Sequence, residues 1–102
     1  MLDRAKEIIP ARVAYYSRIM NVTPTAVKIG GAKTRWGSCS GKNSLNFSWR
    51  LMLTNDDAID YVVVHELAHI LEHNHSKRFW AVVENVMPDY RERRKGLKGS
   101  EY

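Results

Sequence analysis

Four histidines, His65, His69, His73 and His75, fall within eleven consecutive positions of a 102-residue chain. Two of them frame the segment His65-Glu66-Leu67-Ala68-His69. Residues four apart on a helix project from one side, about 6 Å apart along its axis, so His65 and His69 can grip a single ion. Glu66 stands about 100° further round, near enough to reach a water on that ion without itself occupying a ligand position. A divalent ion held by imidazoles acidifies such a water, and a neighbouring carboxylate can take and return its proton. The chemistry indicated is metal-assisted hydrolysis with one Zn²⁺ and with Glu66 as general base. A lone histidine on a buried helix face more often serves packing, but two at this spacing with a glutamate between them favour a metal.

A catalytic zinc takes three protein ligands and keeps one position open. The candidates for the third are Glu72, His73, His75 and Glu84. On a continued helix His73 would lie about 9 Å along the axis from the ion, beyond imidazole reach. His75 lies just past the expected helix end, where Asn74 can adopt a left-handed conformation and turn the chain back. It also follows His65 by ten positions, as in the longer H-E-x-x-H-x-x-G-x-x-H pattern, although Glu72 replaces the glycine. His75 is favoured, with Glu84 as the alternative if the ligand comes from the next helix.

The elements that must hold these residues are legible in outline. Leu2, Ala5, Ile8, Ile9, Val13, Tyr16 and Ile19 recur at helical spacing, with a kink or fresh start expected at Pro10. Asn21 to Pro24 has turn chemistry. Val27 to Ile29 is a short strand ended by Gly30-Gly31, and the runs 34–39 and 44–49 form a hairpin around Ser40-Gly41-Lys42-Asn43. Thr54 or Asn55 caps a helix opened by Asp56 and Asp57 and expected to reach about His73. A third helix spans about Ser76 to Val86, with Phe79, Val82, Val83 and Val86 on one face, and a short one begins at Tyr90. The expectation is an α+β domain over residues 1–102, with an N-terminal helix, a small antiparallel sheet, the metal helix and C-terminal helices.

Composition sets the remaining bounds. A 44% hydrophobic and 26% charged chain has an ordinary globular balance, with a modest core to which a metal would add stability. The single cysteine, Cys39, rules out an internal disulfide and fits a reducing, cytoplasmic setting. No apolar run approaches a membrane span. Lysine and arginine outnumber acidic residues 16 to 11, with an excess at Arg91, Arg93, Arg94, Lys95 and Lys98. That cluster reads first as a solvated tail, and otherwise as a site for phosphates or acidic substrates.

The segments Thr34-Arg35-Trp36-Gly37-Ser38-Cys39-Ser40, Leu45-Asn46, Arg50-Leu51, Tyr61 to His69, Asn74-His75-Ser76, Phe79-Trp80 and Met87-Pro88-Asp89-Tyr90 together resemble the YgjP-like metallopeptidase family. That family is a relative of the SprT and WLM groups in the zincin-like fold. The resemblance extends from about Lys33 onward, and many members carry additional N-terminal β structure that this chain lacks. It implies that His65, His69 and His75 are the metal ligands and that Glu66 is the catalytic acid and base, with His73 variable.

The Arg35–Ser40 block reads first as a structural strand, with Trp36 packed and Gly37 permitting close approach. Alternatively, it is an edge that aligns an extended peptide, with Arg35 or Asn46 near the substrate. Cys39 is a strand thiol before it is an inhibitory ligand. Phe79 and Trp80 cover the site as core residues, and Tyr90 is a candidate oxyanion donor. Polypeptide is the expected substrate. Two other readings retain the ion: a nucleotide pyrophosphatase using Arg35, Arg50 or the basic end, and a metal-stabilised module that binds DNA.

Overall fold

A computed structural model describes residues 2–97. The N-terminal helix α1 (Leu2–Met20) buries Ala5, Ile9 and Val13, spaced four apart along one stripe. Pro10 lies inside this helix and does not start a new one. The proline costs one amide hydrogen bond, while buried residues on both sides of it pin the two halves to the same core. Asn21 ends the helix in the left-handed region (φ 56°). Its N–H reaches the Arg18 carbonyl at 3.3 Å, and that of Val22 reaches Ser17 at 3.1 Å, a paired closure of the last carbonyls.

Three strands follow: β1 (Ala26–Gly30), β2 (Gly37–Cys39) and β3 (Ser44–Ser48). Their spatial order is β1-β3-β2. The hairpin expected around residues 40–43 joins β2 to β3 in antiparallel register, pairing Ser38 with Asn46. The sheet as a whole is mixed, not antiparallel, because β1 runs parallel to β3. After β1 the chain passes to the far side of β3 to lay down β2, then reverses through the tight turn. β3 therefore enters the centre pointing the same way as β1. Alternation of residue types fixes which face is buried but says nothing about strand direction.

In β3, Leu45 and Phe47 are buried and Asn46 is exposed, as the alternation required. The strand stops at Ser48, one residue short of the expected Trp49. Ser48 Oγ donates to the Ala32 carbonyl at 2.9 Å and accepts the Arg50 N–H at 3.2 Å, which turns Trp49–Leu53 into a 3₁₀ helix.

Helix α2 (Asp56–Leu71) is the centre of the molecule. Asn55 caps it by accepting the Ala58 N–H at 2.8 Å, and Asp56 and Asp57 occupy the first turn. Every residue from Tyr61 to Ala68 is buried. Asp60, on its exposed side, pairs with Arg12 of α1 and lies 3.8 Å from Arg93, which also holds Asp57 and Asp89. Helix α3 (Lys77–Val86) is capped by Ser76 and buries Phe79 and Val83, and α4 (Tyr90–Arg93) buries Tyr90. No helix among the described residues is long and apolar enough to cross a membrane. Lys98, part of the basic cluster, lies outside the described residues.

Candidate metal centre

Helix α2 ends at Leu71, two residues before the expected His73. Glu72 follows in an extended conformation (φ −137°, ψ 107°) and starts the return of the chain. Asn74 does not take the left-handed conformation expected of it, since the positive φ angles at non-glycine positions are those of Asn21 and Asn43. Its side chain instead accepts the Ser76 N–H at 3.2 Å, closing a tight turn just before α3. An extended residue at the helix end and a side-chain-closed turn reverse the chain without a left-handed residue.

That turn brings His75 over the two helix histidines. Its Nε2 lies 3.1 Å from His69 Nε2 and 3.2 Å from His65 Nε2. Among the described residues these three form a group whose ligand atoms all fall within 4.8 Å of one another. Zinc held tetrahedrally at about 2.0–2.1 Å sets its nitrogens about 3.3 Å apart, so the spacing fits one ion. The ring orientations fit as well. His69 Nδ1 sits 3.0 Å from the Glu72 carbonyl, which can only accept, so the proton is on Nδ1 and the Nε2 lone pair faces the cluster. His65 Nδ1 lies 3.2 Å from the Tyr61 hydroxyl. Burial, then the neighbouring His69 and His75, push the His65 pKa down to about 2, and burial lowers that of His69. Rings kept neutral, as burial keeps His65 and His69, are the donors a cation requires.

Aromatic side chains hold the rings in place. Phe79 is fully buried and stacks on His69 at 4.4 Å, with its ring 4.9 Å from His65 and 5.0 Å from His75. Trp80 stacks on His75 at 5.9 Å. Phe79 is a core residue, whereas Trp80 is only partly buried and also lines a neighbouring cleft. His73 borders the same cavity but is not one of the three clustered histidines; because the helix stops at Leu71, the reach argument for a continued helix does not apply to it. Glu84 faces another cleft.

Glu66 is 2% exposed and lines a cavity of about 220 Å³ with the three histidines, Gly37, Ser38 and Cys39. Strand β2 presses directly on it. A Cβ at Gly37 would lie 3.2 Å from Glu66 Cγ, 3.1 Å from the Asn46 carbonyl oxygen and 3.2 Å from Phe47 Cδ1. Gly37 therefore does permit close approach, and what approaches is the glutamate itself. Gly37→Ala is expected to cost roughly 1–3 kcal/mol in a urea melt, because backbone and a core ring must both yield.

Cys39 is half-buried and lies outside the histidine cluster, with its thiol donating to the Ser40 carbonyl at 3.5 Å. Burial, then the charge of Glu66, push its pKa up to about 11, so it is a protonated thiol facing the cavity.

The remaining candidates lie apart from the ion site. Arg35 and Asn46 line a hollow of about 210 Å³ that shares Gly37 and Ser38 with the histidine cavity. Tyr90 is buried, stacks on Trp80 at 5.4 Å, and accepts the Arg91 Nε–H at 3.2 Å. It borders a larger cleft that also reaches His75. Reading the sequence did not single out Tyr61, which is fully buried behind His65. The signal was present, since Tyr61 precedes His65 by four positions and so shares its helix face.

Comparison with solved structures shows that this fold is shared with metallopeptidase zymogens. The metallopeptidase zymogen of Pyrococcus abyssi abylysin superposes with a TM-score of 0.76 at 22% identity, over 86% of this chain and 90% of that one. The metallopeptidase zymogen of Methanocaldococcus jannaschii jannalysin gives 0.73 at 21% identity, over 85% and 90%. The chain belongs to the YgjP-like family, whose metallopeptidase domain model matches residues 1–100. The match takes in α1 and β1, well before the Lys33 limit visible in the motifs. No curated protein sequence matches.

Proposed function

We propose that this chain is a zinc-dependent peptidase in which His65, His69 and His75 hold one ion and Glu66 is the general base. The observation that carries this reading is the convergence of three Nε2 atoms beside one buried carboxylate in a single cavity. When bound, zinc would supply Lewis acidity to the scissile carbonyl and lower the pKa of a water in its open position. Glu66 takes the proton of the attacking water and then delivers it to the leaving amine. Gly37 and Phe79 keep the carboxylate and the rings from drifting, so little reorganisation accompanies each turnover.

Strand β2 supplies an edge for an extended polypeptide. Its even-numbered residues bond to β3, as seen in Ser48 N–H to the Trp36 carbonyl and Ser40 N–H to the Ser44 carbonyl, both at 2.9 Å. The backbone groups of Cys39 consequently point away from β3, the direction from which a substrate strand would pair. Arg35 and Asn46 would then contact substrate beyond Ser38, outside the ion's own cavity. A reducing cytoplasmic location agrees with the single thiol.

The hollow lined by Lys33, Arg35 and Arg50, about 260 Å³, favours a second reading in which the same centre hydrolyses nucleotide phosphates. Nucleic-acid binding by the basic end has less support, because Arg93 and Lys95 are already paired with Asp57, Asp89 and Glu92. Zinc-loaded protein is to be incubated separately with an unstructured polypeptide and with nucleoside triphosphates. Cleavage of the polypeptide alone is the expected result. Turnover confined to the triphosphates would replace the peptidase reading with the phosphate one.

A further inference from the structure

A cleft of about 900 Å³ runs from His75 between α3 and α4, and nothing in the proposed chemistry uses it. One wall is made of stacked rings, with Trp80 5.9 Å from His75 and 5.4 Å from Tyr90. Arg94 covers both indole and phenol, its guanidinium carbon 5.6 Å from each ring. Arg91 lies 5.6 Å over the Tyr90 ring, and Lys77 stands at the first turn of α3. Three cations thus line the cleft, and Glu84 is the one acidic residue among the described residues that does so.

The basic cluster of the C-terminal end is divided by this geometry. Arg93 and Lys95 are taken up by ion pairs with Asp57, Asp60, Asp89 and Glu92 on the outer surface. Arg91 and Lys77, in contrast, have no ion pair among the described residues, and both border the cleft. Arg91 is held by its Nε on the Tyr90 hydroxyl, which leaves the outer edge of its guanidinium to accept an anion in two-point contact. An aromatic wall with cations over and beside it suits a short apolar stem that ends in a carboxylate. Because His75 belongs to both this cleft and the ion site, a substrate held at the ion is within reach of the cleft.

We propose that the cleft between α3 and α4 is a specificity subsite that takes a carboxylate of the peptide substrate onto Arg91 and Lys77, with its stem on Trp80. The carboxylate belongs to an acidic side chain near the scissile bond or to a free C-terminus. This rests on the peptidase reading and adds the substrate class to it. Arg94 is a poorer probe than Arg91, because it also contacts Tyr61, the partner of His65.

The test uses peptides identical except for Glu, Gln or Lys at successive positions around one bond, each with a free or an amidated C-terminus. Binding is measured with zinc-loaded Glu66→Gln protein, and cleavage with the wild type. A peptide with its carboxylate at one position is expected to bind about tenfold more tightly than its neutral counterpart. Arg91→Glu should reverse that order in favour of Lys, and Lys77→Gln should shrink the preference. Sensitivity to the Glu position assigns the carboxylate to a side chain, whereas sensitivity to amidation assigns it to the terminus. Equal binding of all peptides would overturn the subsite, as would a preference that survives both substitutions. Cleavage with no acidic preference would remove the subsite and leave the peptidase intact. Acid-selective binding without any cleavage by the wild type would retain the subsite and remove the peptidase.

Discussion

Replacing Glu66 with glutamine is expected to reduce peptide hydrolysis roughly 10²- to 10⁴-fold, the usual range for loss of a positioned general base. The substitution keeps the volume of a side chain that is 2% exposed and pressed against Gly37, so the fold should persist. The three ring nitrogens are untouched, and metal content measured by elemental analysis should stay at one ion per chain. A separate readout comes from the cavity itself. Burial is the first cause that raises the Cys39 pKa, and the Glu66 charge is the second, so the thiol of the variant should titrate lower. Rates of alkylation against pH would detect that change even in protein stripped of metal. Full turnover in the variant would remove Glu66 from the mechanism. An unshifted thiol would mean that its charge does not face the cavity.

The parts of this site that could be read from the sequence are those fixed by local geometry. Helical periodicity alone puts His65 and His69 on one face with Glu66 beside them, and the capping residues bracket the helix that carries them. His75 was reachable from its spacing, yet the mechanism of its return was not. A turn closed by an asparagine side chain and one closed by its left-handed backbone both begin with the same letter. Sheet direction was hidden for a different reason, because strand order depends on where a connection crosses, and residues 31–36 carry no periodic pattern. Arg35 and Asn46 lie outside the histidine cavity, in a neighbouring hollow, and for Asn46 the alternation of β3 already implied this. Asn46 alternates with Leu45 and Phe47, which face the core, so its own side chain had to face away. Tyr61 and Arg94 escaped notice because a tyrosine in an apolar run reads as core and an arginine in a basic cluster as surface. Only the folded chain puts the first behind His65 and the second over Trp80 and Tyr90.

Removing the ion should lower thermal stability sharply, and His65→Ala should abolish the difference between metal-loaded and stripped protein. A ligand that binds only the folded state stabilises it by about 2.7 kcal/mol at a hundred times its dissociation constant. In a domain of this size each kcal/mol moves the midpoint by about 4–8 °C, so zinc in that excess should raise Tm by roughly 10–20 °C. The effect is large because the stripped centre is costly in itself. Three imidazoles with converging lone pairs are held together by Phe79 and Trp80, and His65 is 2% exposed. Truncating His65 removes one ligand and one of the repelling rings together. The variant should therefore melt at one temperature with or without zinc, leaving an apolar cavity beside Phe79. His73→Ala is the matched control: it borders the same cavity outside the three-histidine cluster, and should keep the full zinc-dependent rise. A rise preserved in His65→Ala, or lost in His73→Ala, would show that the ion sits on a different set of nitrogens.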